Sequence, residues 1–203
     1  MLVAASTATA AVNTSVADPT CHAKLHAGYA GDGAVVWGSN LKLADAGDCC
    51  RACQAHAQIC GQPGSAGRSW WPDRPRLRCG KRDIPCSIWS FCPGSAEVAD
   101  QCFAFDIHVH ARGECWLKFQ RETPTRPKDP FFGHTRFPAA MRTSPRRHWP
   151  FAVAKRTWPG PMPERIPWTS GVLAPAEQAI VSATPNDPWW ERFCTRRGPC
   201  EER

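Results

Sequence analysis

The sequence predicts an α+β fold in which a small antiparallel sheet, stapled by disulfides, packs on one main helix. Three observations carry that expectation. Nine of the twelve cysteines lie between Cys49 and Cys115, roughly one residue in seven, a density that belongs to folds held by covalent cross-links in an oxidising compartment. Residues 46–58 contain no proline and no β-branched residue, the composition of a helix. Several short segments around it alternate apolar and polar residues with the period of two that a half-buried strand requires.

Asp45 supplies an N-cap acceptor for the helix, Asp48 is a short variant of the capping-box acid, and Gly61-Gln62-Pro63-Gly64 stops it. Ahead of it, residues 21–43 alternate weakly. Glycines 28, 31, 33 and 38 interrupt them, and Ala34-Val35-Val36-Trp37 forms a short strand. Residues 61–85, rich in Gly, Pro and Arg, read as an inserted loop. Cys86 to Cys92 is a strand by β-propensity. In Phe103 to His110, alternation puts Phe103, Phe105, Ile107 and Val109 on one face; after a turn at 111–113, Glu114 to Gln120 returns as the second arm of a hairpin. Prolines recur too often between 122 and 167 for helix or interior strand, so this segment is expected to be extended and to hug the surface. Residues 167–173 read as a last strand and 174–183 as a short helix. The organisation is therefore a lead-in (1–20), one domain (21–173) and a C-terminal tail (174–203).

On a helix, residues four apart share a face, so Cys49 and Cys53 point at whatever the helix packs on, while Cys50 sits about 100° round. A helix cross-linked twice to a sheet holds a domain whose apolar core is too small to hold itself.

Met1 to Ala17 is small and apolar, with cleavage-like sites at Ala8-Thr9-Ala10 and Ser15-Val16-Ala17 but no Lys or Arg near Met1. It reads as a weak signal peptide or as a disordered lead-in. Secretion or a cell-surface location is inferred mainly from the cysteines. No run of 18 apolar residues exists, so no membrane span is expected. Between Arg121 and Arg165 ten basic and three acidic residues give a net +7, equal to the formal charge of the whole chain. Attraction to polyanions is thus expected of that stretch.

Cys49-x3-Cys53, then a cysteine opening an aromatic strand (Cys86-Ser87-Ile88-Trp89), then Gly113-x-Cys115-Trp116-Leu117-Lys118 resembles the PAN/Apple domain, in particular the cysteine-doublet modules of green-algal secreted or surface proteins. The resemblance spans about Cys21 to Leu173. It implies bonds between Cys49 and Cys115 and between Cys53 and Cys86, and a family-like pairing of Cys50 with Cys92. Cys86 and Cys92 lie about 20 Å apart on an extended strand. Cys50 and Cys53 differ by about 5 Å along a helix axis. Both bonds therefore require the strand to twist, bulge or end before Cys92. Cys60 and Cys79 are expected to close the insertion on itself; Cys21 with Cys102 and Cys194 with Cys200 follow by elimination. The resemblance also implies protein or carbohydrate binding without catalysis.

Other signals are weaker. Cys50-x2-Cys53 fits half a zinc site, but no second close pair completes it. Asp106, His108 and His110 occupy alternate strand positions and can meet one metal ion; the plainer reading is a solvated strand face. Trp70-Trp71, Trp149, Trp158 and Trp189-Trp190 suit sugar rings or, more simply, pin loops. Phe131, Phe132, Phe137, Trp149 and Phe151 within the basic stretch superficially suit single-stranded nucleic acid, but disulfides mark the wrong compartment. No Gly-x-Ser-x-Gly, His-Glu-x-x-His or phosphate loop is present. The sequence is thus expected to encode a non-enzymatic extracellular binding module without a cofactor, its partner a protein or a glycan, including acidic polysaccharide, rather than nucleic acid. The alternative is a secreted metal-dependent enzyme or metal-binding protein using Asp106, His108 and His110.

Overall fold

Helix α1 runs from Ala46 to Cys60 in a computed structural model of the chain, which describes residues 16–94, 100–104, 108–122, 124–137, 139–143, 145 and 158–183. The Asp45 carboxylate accepts the Asp48 backbone N–H at 2.8 Å, the cap that the sequence requires. At the other end the Gly61 N–H bonds the Ala57 carbonyl at 3.2 Å. The buried face consists of Ala46, Cys49, Cys50, Ala52, Cys53, His56 and Cys60. These are mostly small side chains, so the helix gains little from hydrocarbon burial and is fixed by sulfur.

The helix lies on a five-stranded antiparallel sheet with the order β1-β7-β3-β6-β2. Its strands are β1 (Lys24–Leu25), β2 (Gly33–Val36), β3 (Ile88–Phe91), β6 (Cys115–Phe119) and β7 (Thr169–Val172). Two further strands, β4 (Gln101–Cys102) and β5 (His110–Ala111), form a small separate ribbon. Alternation sorts the side chains of the central strands. Trp89, Phe91, Cys115 and Leu117 join the helix in one core, whereas Ser90, Trp116 and Lys118 face the other way. Every residue of β3 is nevertheless buried, because both faces of the sheet are covered.

Five disulfides are formed among the described residues, and four of them hold α1. They are Cys49–Cys115 to the start of β6, Cys53–Cys86 ahead of β3, Cys21–Cys50 to the N-terminal turn, and Cys60–Cys79 across the insertion. The fifth, Cys92–Cys102, closes a short loop. Two expected pairings are thereby corrected. Cys50 bonds Cys21, not Cys92, and Cys102 bonds Cys92, not Cys21. The strand from Cys86 runs to Phe91, opposite the Cys115 that bonds Cys49, but alternation turns Cys92 to the helix-free face of the sheet, away from Cys50. Cys50, rotated off the face occupied by Cys49 and Cys53, meets the 3-10 turn Pro19–Cys21 instead. Cys194 and Cys200 lie outside the described residues.

The Pro-rich segment builds a second core on the helix-free face of the sheet. Phe103, Phe131, Phe137, Trp158, Met162, Ile166 and Trp168 cluster there with the Cys92–Cys102 bridge. Edge-to-face ring contacts join Phe103 to Phe137 at 5.3 Å and to Trp158 at 5.4 Å between centroids. Backbone bonds fix the chain where proline forbids regular structure: Phe137 N–H to Glu164 O at 2.9 Å and Ile166 N–H to Thr135 O at 3.1 Å. Its helix α2 spans only Ala139–Thr143.

Two expected elements are different. The hairpin of 103–110 with 114–120 does not form: β5 pairs with β4, and β6 pairs with β2 and β3. Glu114 and Gly113 exchange backbone hydrogen bonds with Cys92, which extends the β3–β6 ladder and leaves no edge for the proposed partner. The phase is also reversed at its end, with Val109 53% exposed and His110 3%; Phe105, Asp106 and Ile107 lie outside the described residues. Residues 174–183 form no helix. Their backbone N–H groups go elsewhere, Ala174 to Thr20 O and Val181 to Thr125 O, with a single turn at Pro175–Gln178. Among the described residues no helix is long and apolar enough to cross a membrane.

Candidate functional site

A cavity of about 340 Å3 opens on the helix-free face of the sheet. Its floor comes from alternate positions of three neighbouring strands: Ser90 of β3, Trp116 and Lys118 of β6, and Ala34 of β2, which stands opposite Lys118 in the ladder. Trp168, from the residue before β7, and His110 of β5 make one wall. Phe131 and Pro130, from the Pro-rich segment, make another. Nothing in this arrangement uses the insertion at 61–85.

The polar groups of the cavity are each held in place. The Lys118 ammonium donates to the Ser90 hydroxyl at 3.0 Å and to the Tyr29 carbonyl. Ser170 Oγ lies 2.8 Å from Ser90 Oγ and donates to the Ala27 carbonyl at 2.7 Å, so the two buried serines are satisfied within the sheet. His110 Nδ1 donates to Glu114 Oε2 at 3.0 Å. Glu114 is buried, and it also accepts the Trp116 indole N–H at 3.1 Å and the Ala111 backbone N–H at 3.2 Å. Burial pushes the Glu114 carboxyl up. The three hydrogen bonds outweigh it and hold the group below the ordinary glutamate range.

Aromatic rings continue from the cavity to the surface. His110 contacts Trp168 at 5.1 Å and Trp116 at 5.4 Å between centroids; Trp116 contacts Trp37 at 5.2 Å, and Trp37 is half exposed. His108 stands edge-on to Trp37 and to His110. The two histidines of the predicted metal trio are thus neighbours, but one is exposed and the other is bonded to Glu114, and Asp106 lies outside the described residues. Among the described residues no three His, Cys, Asp or Glu side chains are grouped to hold a metal ion.

Of the other sequence candidates, Phe131 lines the cavity, while Trp70, Trp158 and Phe137 do not. Trp70 is buried against His56 and Trp71, and Trp158 is pinned by its indole N–H on the Pro161 carbonyl at 2.7 Å, so both fasten loops. Phe131 and Phe137 are core residues rather than exposed stacking surfaces. Trp149, Phe151, Trp189 and Trp190 lie outside the described residues. Cys115-Trp116-Leu117-Lys118 reads in sequence as a cysteine motif, and its other face supplies Trp116 and Lys118 to the cavity. The signal was present: Trp116 and Lys118 are two apart, opposite Cys115 and Leu117, and must project together. Compared with family models, curated proteins and solved structures, the chain matches none.

Proposed function

We propose that this chain is a non-enzymatic binding module of the extracellular space, PAN/Apple-like in build, that takes a sugar ring of a glycan into the sheet cavity. The observation that carries the reading is the cavity lining itself, two indoles and a phenyl ring around a lysine, a serine and a histidine. Indole faces offer flat apolar area to the C–H side of a pyranose, while a few fixed polar groups set orientation. A volume of about 340 Å3 falls at the lower end of small-molecule sites and suits one ring rather than an extended chain.

The bonds Cys49–Cys115 and Cys53–Cys86 support the PAN/Apple comparison, because they are the pairings it implies. Five disulfides support an oxidising location. The experiment is a glycan screen beside a pull-down of extracellular proteins, run on wild type and on Ala34→Leu, which fills the cavity from an edge strand. Glycan binding abolished by Ala34→Leu is the expected result. Protein capture unaffected by that substitution, with no glycan bound, overturns the reading.

A further inference from the structure

We infer that the insertion at 61–85 is a second binding surface, separate from the cavity, whose exposed arginines take a linear sulfated polysaccharide. The segment carries Arg68, Arg74, Arg76, Arg78, Lys81 and Arg82 against two acids, Asp73 and Asp83. All six cations are exposed, and none forms an ion pair among the described residues. Asp83 is committed to the turn that opens the insertion: its carboxylate accepts the Gly64 N–H at 3.1 Å, the Ser65 N–H at 3.0 Å and the Ser65 hydroxyl at 2.7 Å. The Pro-rich segment differs, since there Lys128 pairs with Asp32 and Arg136 with Glu164.

The cations of the insertion are carried on a fixed frame. The Gly67 N–H bonds the Cys79 carbonyl at 3.1 Å, the Cys79 N–H the Arg68 carbonyl at 2.9 Å and the Trp70 N–H the Leu77 carbonyl at 3.2 Å. These bonds make a short antiparallel ribbon, which Cys60–Cys79 ties to the end of α1. Cross-strand partners share a face, and successive pairs alternate. Trp70 is buried and Leu77 packs on the helix core, so the neighbouring pair, Ser69 with Arg78, faces outward. The tip between the arms adds Arg74 and Arg76. Arg74 donates to the Lys42 carbonyl at 3.3 Å, which joins a further exposed lysine to the patch.

Like charges gathered on an ordered frame favour a partner with many anions, because little further ordering is needed on binding. A protein interface centres instead on buried apolar anchors, and the insertion exposes no large hydrophobic side chain. Nucleic acid is the other common polyanion, and the disulfides argue for a compartment without it. Five of the six cations are arginine. A guanidinium is weakly hydrated, always charged and able to fork onto two oxygens. A sulfate ester matches it on each count, whereas a carboxylate holds its water more tightly.

The test measures binding of the full disulfide-bonded chain to dextran sulfate, to carboxymethyl-dextran of equal charge density and to plain dextran, over a range of salt. Dextran sulfate is expected to bind tightest and to weaken steeply with salt, and dextran not to bind this surface. Arg68→Gln, Arg76→Gln, Lys81→Gln and Arg82→Gln combined remove cations whose side chains make no bond among the described residues, so the melting temperature should hold. That variant is expected to lose about tenfold or more in dextran sulfate affinity and to flatten the log–log salt slope by about three to four. Arg68→Lys, Arg76→Lys and Arg82→Lys keep the charge and should lose the preference for sulfate over carboxylate. Carboxymethyl-dextran bound as tightly as dextran sulfate in wild type overturns the choice of sulfate, and duplex DNA bound as tightly at equal charge overturns the choice of glycan. Undiminished binding by the glutamine variant, or a loss confined to Arg121→Gln, Arg126→Gln, Arg146→Gln and Arg147→Gln, overturns the site. Ala34→Leu is expected to leave dextran sulfate binding intact, so failure of the cavity reading and failure of this one are separately visible.

Discussion

The Nδ1 atom of His110 and the Oε2 atom of Glu114 lie 3.0 Å apart with both side chains buried, and the same carboxylate receives the Trp116 indole. Glu114 therefore organises a wall and part of the floor of the cavity at once. Glu114→Ala strips an acceptor from one buried and two half-buried donors and is expected to destabilise the fold by about 2–4 kcal/mol. Glu114→Gln keeps one oxygen and should lose less. Because the native carboxyl titrates below its ordinary value, the stability it contributes is present above that value, near 4.5, and is lost as the pH falls through the native one. Denaturant melts of the wild type and both variants between pH 7 and pH 3 check the order and the acid limb.

A second acid-sensitive group sits on the helix. His56 is buried, its Nδ1 accepts the Cys86 N–H at 3.2 Å, its Nε2 is buried without a hydrogen-bond partner, and its ring stands edge-on to Trp70, 5.1 Å between centroids. Burial pushes its pKa from 6.5 down to about 4. Above pH 6.5 the ring is neutral in both states and contributes no pH dependence. As pH falls from 6.5 towards 4 the unfolded chain takes up the proton first, and stability declines by on the order of 3 kcal/mol. His56→Gln is expected to flatten that window while leaving the Glu114 limb below it. An unchanged slope between pH 6.5 and 4 contradicts the assignment.

Peptide mapping of the unreduced protein is expected to recover Cys21 with Cys50 and Cys92 with Cys102, and a Cys50–Cys92 peptide would contradict the fold given above. Loop length ranks the losses. Removing Cys49–Cys115, which spans 66 residues, should be worth about 4 kcal/mol, whereas Cys92–Cys102, spanning 10, should be worth about 3 kcal/mol. Paired Cys→Ser substitutions with thermal melts measure both.

What the sequence disclosed was whatever local chemistry decides. Asp45, the proline-free run after it and Gly61 place the helix, and β-propensity places the central strand at Ile88–Phe91. What escaped was set by contacts distant along the chain. His110 is buried because Glu114 and two tryptophans enclose it, although its alternation with Val109 argues the opposite face. The cavity joins Gly28 to Trp168 through five intervening segments, and no local pattern announces that meeting. Charge summed over long segments also misled. The neutral total outside 121–165 conceals six exposed cations between Arg68 and Arg82, offset by acids elsewhere.

The position of Trp116 rests on a residue with no side chain. A Cβ at Gly38 would stand 2.1 Å from the Trp116 Nε1 atom and 2.3 Å from its Cδ1, well inside contact distance. The indole fills the space that glycine leaves, and from there its N–H reaches Glu114. Gly38→Ala must push the ring outward, breaking that bond and tilting one face of the cavity, while α1 and its four disulfides remain untouched. Overpacking of this kind destabilises by about 1–3 kcal/mol. Sugar affinity should fall together with a red shift of tryptophan emission, since the displaced indole gains water. Gly171→Ala is the control: its Cβ would meet the Cys21 carbonyl at 2.3 Å and the Trp89 ring at 2.5 Å on the helix side of the sheet. It should therefore lower stability without selectively weakening binding by the folded fraction, and equal binding losses in the two folded variants would remove Trp116 from the site.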